Sequence, residues 1–136
     1  MPEKFEIKIQ IRFKDLDPMQ HVNNAVYFSY FEIGRLEFFR RVVKDIEFKR
    51  YPFILARVEA NFHKPVTIHH PEIILKMWAG DFGNKSFKFF YEIVSVDGKI
   101  KFTTGESVQV FFDYKSNKTI PVPDDFKELI KNFIFE

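Results

Sequence analysis

The period of the apolar residues changes three times along this chain, and no all-helix or all-strand fold satisfies both periods. Phe5, Ile7, Ile9, Ile11 and Phe13 alternate with Glu6, Lys8, Gln10, Arg12 and Lys14. Period two gives a strand with one apolar face and one wet face. From Asn24 to Lys44 the period becomes helical. Tyr27, Tyr30, Phe31, Gly34, Phe38 and Val42 recur at three and four. Phe28, Leu36, Phe39 and Val43 form a second apolar set, so the helix is expected to be buried on most sides. Asn23 is placed to cap its start. Gly34 costs about 1 kcal/mol relative to Ala in a helix. That cost is accounted for if the helix approaches a sheet closely there.

Beyond Tyr51-Pro52 the alternation returns. Ile54, Ala56, Val58, Ala60 and Phe62 are assigned to one face of a second strand. Ile73, Leu75, Met77 and Ala79 make a third, and Phe87, Phe89, Tyr91 and Ile93 a fourth. Asp97-Gly98 predicts a two-residue hairpin turn, and Ile100 to Phe112 a long fifth strand. Phe126, Leu129, Ile130 and Phe133 suggest a short terminal helix. Strands joined mostly by hairpins pair antiparallel. The expectation is an α+β fold, a five-stranded antiparallel sheet with one long helix, in a single domain over 1–136.

Composition removes several function classes. The formal net charge is +2 with no basic block, which argues against nucleic acid as a partner. There is no cysteine, so a disulfide framework, a thiolate metal site and a cysteine nucleophile are excluded. His63, His69 and His70 do not repeat a metal-ligand spacing, and no metal site is expected. The first residues lack an apolar signal core, and no apolar run approaches the roughly 20 residues of a membrane span. A cytoplasmic protein is expected. The 19 phenylalanines can fill a core or wall an apolar pocket. Their spacing assigns most to core, with Phe28, Phe31 and Phe62 also placed to wall a tunnel.

The densest polar cluster is Asp15-x-Asp17-x-x-x-His21-Val22-Asn23-Asn24, just before the long helix. A helix start offers free N–H groups and the positive end of the dipole, which suit a developing oxyanion. A carboxylate beside them can serve as general base or nucleophile toward a carbonyl. Ordinary loop and cap roles remain open for the same residues.

The run Arg12-Phe13-x-Asp15-x-Asp17-x-x-x-His21-Val22-Asn23-Asn24-x-x-Tyr27-x-x-x-x-Glu32 resembles the signature of the hotdog-fold thioesterases, the 4-hydroxybenzoyl-CoA thioesterase-like family. Gly83-Asn84-Lys85-Ser86-Phe87 resembles that family's fourth-strand entry. The resemblance implies a sheet wrapped around the long helix. It implies hydrolysis of a fatty or aromatic acyl-CoA, with Asp17 as the catalytic carboxylate and the oxyanion N–H near Asn24. It implies that Asn23 and His21 orient the carboxylate or line the mouth. Tyr27 and Glu32 would face the acyl end, and Lys85 with Ser86 would meet coenzyme A. Asp15 is assigned to organising the loop. No separate cofactor is implied, since coenzyme A is part of the substrate. The family's assemblies imply a homodimer through edge strands, or a homotetramer of two dimers. Three other readings compete: an acyl carrier protein thioesterase, a hotdog hydratase or dehydratase, and a non-catalytic acyl-thioester binding module.

Overall fold

The structure is a computed structural model and describes residues 2–136. Strand β1 (Phe5–Gln10) alternates buried and exposed residues as its sequence does. Helix α1 (Val26–Phe38) follows, extended by one wider, π-type turn over Phe39–Val43. Then come β2 (Phe53–Phe62), β3 (Glu72–Gly80), β4 (Ser86–Ser95) and β5 (Lys101–Asp113). A two-residue strand β6 (Lys118–Thr119) pairs with the end of β5. A short helix α2 (Asp124–Leu129) closes the chain.

The sheet runs β1-β3-β4-β5-β2, antiparallel throughout. It curls around α1, giving the α+β hotdog architecture. Hairpins join β3, β4 and β5, and β2 crosses to the far edge beside β5. The core lies between α1 and the inner face of the sheet. Phe31 stacks on Tyr91 at 4.2 Å between ring centres, and Phe38 meets Phe89 edge-on at 5.1 Å. Phe126 of α2 seals one end against Tyr51, Phe87 and Phe111.

Gly34 sits where close approach is needed. A Cβ there would lie 2.5 Å from Leu75 Cδ2 and 3.0 Å from Met77 Sδ. The helix ends where expected, at Lys44, whose φ of 61° turns the chain and whose N–H donates to the Phe39 carbonyl at 2.6 Å.

Five local expectations are corrected. Strand β1 stops at Gln10, and Phe13 is 87% exposed in a tight turn over Phe13–Asp15. The cause is Asp15, whose carboxylate accepts the Arg12 backbone N–H at 3.0 Å and pulls the chain out of the extended form. Helix α1 starts at Val26 rather than Asn24. Asn23 takes the Ala25 N–H on its side chain and the Val26 N–H on its carbonyl, both at 2.9 Å, and so holds a turn ahead of the helix. Burial of α1 is incomplete: Leu36 is 49% exposed, and Ile33 is exposed beside it. In β2 the pairing with β5 skips Ala56, so the apolar set changes face at that bulge. Phe53, Val58 and Ala60 pack on the core instead of a continuous set from Ile54 to Phe62. The Asp97-Gly98 connection is longer than two residues. Only Gly98 takes a positive φ, 77°, and Asp97 instead accepts the Lys99 N–H and the Ser95 hydroxyl.

Candidate active site

Asp15 anchors the loop before α1. It is 2% exposed, and its carboxylate accepts from the Arg12 N–H, the Arg12 guanidinium at 3.1 Å and the Tyr30 hydroxyl at 2.9 Å. Burial pushes its acidity toward the neutral form. The Arg12 N–H, the Tyr30 hydroxyl and the guanidinium outweigh that and hold its pKa below the ordinary carboxylate value. Tyr30 is pushed up, first by burial and then by the Asp15 carboxylate it donates to. The Asp15 carbonyl also accepts the Asn23 N–H at 2.9 Å, which ties the two ends of the loop together.

Asp17 sits inside that frame. Its Oδ1 accepts the Met19 N–H at 2.9 Å and the His21 N–H at 3.1 Å. Both bonds fall on one oxygen, and no hydrogen bond from the described residues engages Oδ2. The loop is pinned from outside as well. The Val22 N–H donates to the Val66 carbonyl at 2.8 Å, and the Ile68 N–H to the Gln20 carbonyl at 3.0 Å. The segment after β2 is thereby laid beside the loop.

Between them lies a cleft of about 400 Å³ lined by Asp17, His21, Asn24, Tyr27, Phe62 and Lys64, among others. Tyr27 forms its floor. The Tyr27 hydroxyl accepts the Val66 N–H at 3.2 Å, and its ring lies 5.1 Å from that of Phe62. Burial raises the pKa of this hydroxyl and keeps it protonated. The backbone N–H of Asn24 has no acceptor among the described residues, while its neighbours at Asn23, Ala25 and Val26 are all bonded. A free N–H at the positive end of a 13-residue helix, beside a half-buried carboxylate, can polarise a carbonyl oxygen that the carboxylate side then attacks.

Of the residues singled out in the sequence, Asp17, His21, Asn23, Asn24 and Tyr27 line this one cleft with Phe62. Glu32, Lys85 and Ser86 do not. Glu32 is exposed on α1 and lines a separate groove with Arg35, Leu36, Phe48, Phe53 and Leu55. Lys85 lies in the turn before β4, its Nζ donating to the Thr119 hydroxyl at 3.1 Å. Ser86 opens β4 and pairs with Val110, itself the partner of Ile54 at the start of β2. Phe62, at the other end of β2, is eight residues away, about 26 Å along the strand. Phe31 is fully buried and Phe28 packs on it edge-on, so neither ring lines the cleft. Met19, His63, Lys64 and Pro65 line it and were not anticipated. Pro65, which breaks the β2 pattern just before the Val66 contact to Tyr27, was the available signal.

The sequence profile of the thioesterase-like superfamily matches residues 11–130. The uncharacterized protein YsmA of Bacillus subtilis is 26% identical over 123 residues, covering 90% of this chain and 82% of that protein. The structure of a predicted thioesterase from Bacillus stearothermophilus superposes with a TM-score of 0.87 at 25% identity, over 98% of both chains. A thioesterase from Thermus thermophilus, complexed with coenzyme A and Zn, gives a TM-score of 0.82 at 27% identity, over 94% of this chain and 92% of that one.

Proposed function

This chain belongs to the thioesterase-like superfamily, and from that premise we propose that it hydrolyses an acyl-CoA thioester at the Asp17 cleft. The observation that carries the reading is the pairing of Asp17, loaded on Oδ1 alone, with the free Asn24 N–H in the turn that leads into α1. The thioester carbonyl oxygen accepts from the Asn24 N–H, aided by the helix dipole. Asp17 Oδ2 then either takes a proton from an attacking water or attacks the carbonyl carbon itself. The first route gives the acid and coenzyme A thiol through a tetrahedral intermediate. The second passes through an acyl anhydride on Asp17 that water opens. Both consume one water and break the C–S bond. Asn23 positions the loop through its backbone and its side-chain oxygen, and His21 through its backbone groups. Coenzyme A is favoured over acyl carrier protein by the coenzyme A complex of the Thermus thermophilus protein.

The site is completed by a second copy of the chain. Strand β2 is a sheet edge, with Leu55 and Phe62 exposed on it. An antiparallel copy paired through β2 sets the Ile54 end of one protomer beside the Phe62 end of the other, one strand spacing of about 4.8 Å away. The partner's Lys85 and Ser86 then approach this Asp17 cleft, where Lys suits a coenzyme A phosphate. A thiol-release assay over aliphatic and aromatic acyl-CoAs tests the reading. Release that depends on Asp17 supports it, and acyl-CoA binding without turnover across the panel refutes it.

A further inference from the structure

One cation in the core has no anionic partner among the described residues. Arg35 is 8% exposed and lies in the buried stripe of α1 with Phe31, Gly34 and Phe38. A guanidinium presents five N–H donors and carries its charge at any ordinary pH. Here Nη1 donates to the Tyr91 hydroxyl at 3.0 Å. The groups behind that hydroxyl are neutral too. Tyr91 shares a hydrogen bond of 2.6 Å with Ser107, Ser107 donates to Gln109, and Gln109 donates to the Phe87 carbonyl at 3.3 Å. No carboxylate among the described residues lies within ion-pair distance of Arg35. Glu32, three residues earlier on the same helix, does not reach it. The other guanidinium N–H groups are not among the sealed, unpartnered atoms of the core, so they open on the groove that Arg35 lines, where an anion can reach them.

The place for one is built. Arg35 lines a groove of about 220 Å³ whose other walls are Glu32, Leu36, Phe48, Phe53 and Leu55. Phe48 is held at a φ of 54°, rare for an aromatic residue, and packs on Phe39 and Phe53 with ring centres 4.8 Å and 5.5 Å away. The groove shares no lining residue with the Asp17 cleft. Four apolar walls and an unpaired cation complement an amphipathic anion.

We propose that this groove is a subsite for a small carboxylate with an apolar body. Arg35 takes the carboxylate through its free N–H fork. Leu36, Phe48, Phe53 and Leu55 take the body, and Glu32 at the rim limits affinity by like charge. Two sources supply this chemistry: an acyl group bearing a second carboxylate far from its thioester, or a free acid.

The test titrates the full chain, in its solution assembly, with benzoate and with benzyl alcohol, following the methyl signals of Leu36 and Leu55. Benzoate is expected to shift both, and benzyl alcohol to bind at least tenfold more weakly. Glu32→Gln is expected to tighten benzoate several-fold, and Arg35→Met to abolish binding. Arg35 also props Tyr91, so Leu36→Glu, on an exposed position, serves as a second variant and is expected to weaken benzoate at least fivefold. Equal binding of the two probes overturns the proposal. So does insensitivity to all three substitutions, and so does exclusion of benzoate by a second copy covering the groove. Matched acyl-CoAs with and without a distal carboxylate then separate the sources. A tenfold preference in kcat/KM assigns the substrate's own end, and equal rates assign a free acid. Binding needs no turnover, so a chain that releases no thiol from any thioester overturns the hydrolysis reading and leaves this one to stand or fall separately.

Discussion

Asp17 and His21 are tied to each other twice. The His21 N–H donates to Asp17 Oδ1 at 3.1 Å, and the Asp17 N–H donates to the His21 carbonyl at 2.7 Å. The carboxylate is therefore oriented by backbone, and the His21 side chain is spared that task.

Replacing Asp17 with Asn keeps an acceptor for both N–H groups but removes the base or nucleophile. Thiol release is expected to fall at least about 100-fold, with an unchanged melting temperature. His21→Ala is expected to cost far less. A folded Asp17→Asn protein with full activity would falsify the assignment. Single-turnover hydrolysis in ¹⁸O-water tests the second route: label in the Asp17 carboxylate marks an anhydride opened at the Asp17 carbon, and label only in the product acid excludes that opening.

Lys85 and Asp17 are expected to act from different copies of the chain. Lys85→Ala should raise KM several-fold with little change in kcat. Mixed dimers of Asp17→Asn and Lys85→Ala protomers carry one intact site if the site is shared. Activity at low acyl-CoA should then exceed that of either parent. No gain on mixing, with exchange of protomers verified by mass, would place both residues' roles within one chain.

Asp15 holds a buried carboxylate whose pKa is depressed in the fold. Its stabilisation is present above the ordinary carboxylate pKa and is lost as pH falls through the lower, folded value. Asp15→Ala is expected to destabilise by about 2–4 kcal/mol at neutral pH, because it strands the Arg12 N–H and the Tyr30 hydroxyl. The deficit should shrink as pH drops below 4. Urea denaturation of both proteins at pH 7 and pH 3 measures it.

Gly34→Ala and Gly105→Ala separate two kinds of crowding. At Gly34 the new methyl meets the flexible end of Leu75. Overpacking of about 1–3 kcal/mol is offset in part by the roughly 1 kcal/mol that Ala gains in a helix. At Gly105 it meets the Glu59 carbonyl oxygen at 2.6 Å and the Phe31 ring at 2.7 Å, neither of which yields easily. Gly105→Ala should lower the melting temperature more. The reverse order would contradict the packing of Phe31 against β5.

What the sequence disclosed depends on how local each feature is. Asp17, His21, Asn23, Asn24 and Tyr27 lie within eleven positions, so one loop and one helix turn bring them together. Lys85 and Glu32 reach other parts of the surface, because sheet order and strand ends decide their neighbours. Phe13 continued the alternation of β1 until a carboxylate two residues later claimed the backbone. The Ala56 bulge left no periodic mark of its own. Arg35 is marked by pattern alone: it is the one charged residue among the helix positions at 27, 30, 31, 34, 35 and 38 that turn inward.

The stack of Phe31 on Tyr91, with Gly105 behind it, leaves no slack beneath α1. An acyl tail cannot be lengthened into that space without dismantling the scaffold. Chain-length selectivity would then be written on the outward residues Ile33, Leu36, Leu55 and Phe62, all of them exposed. Libraries meant to retune the substrate belong at those four surface positions, with the aromatic interior left alone.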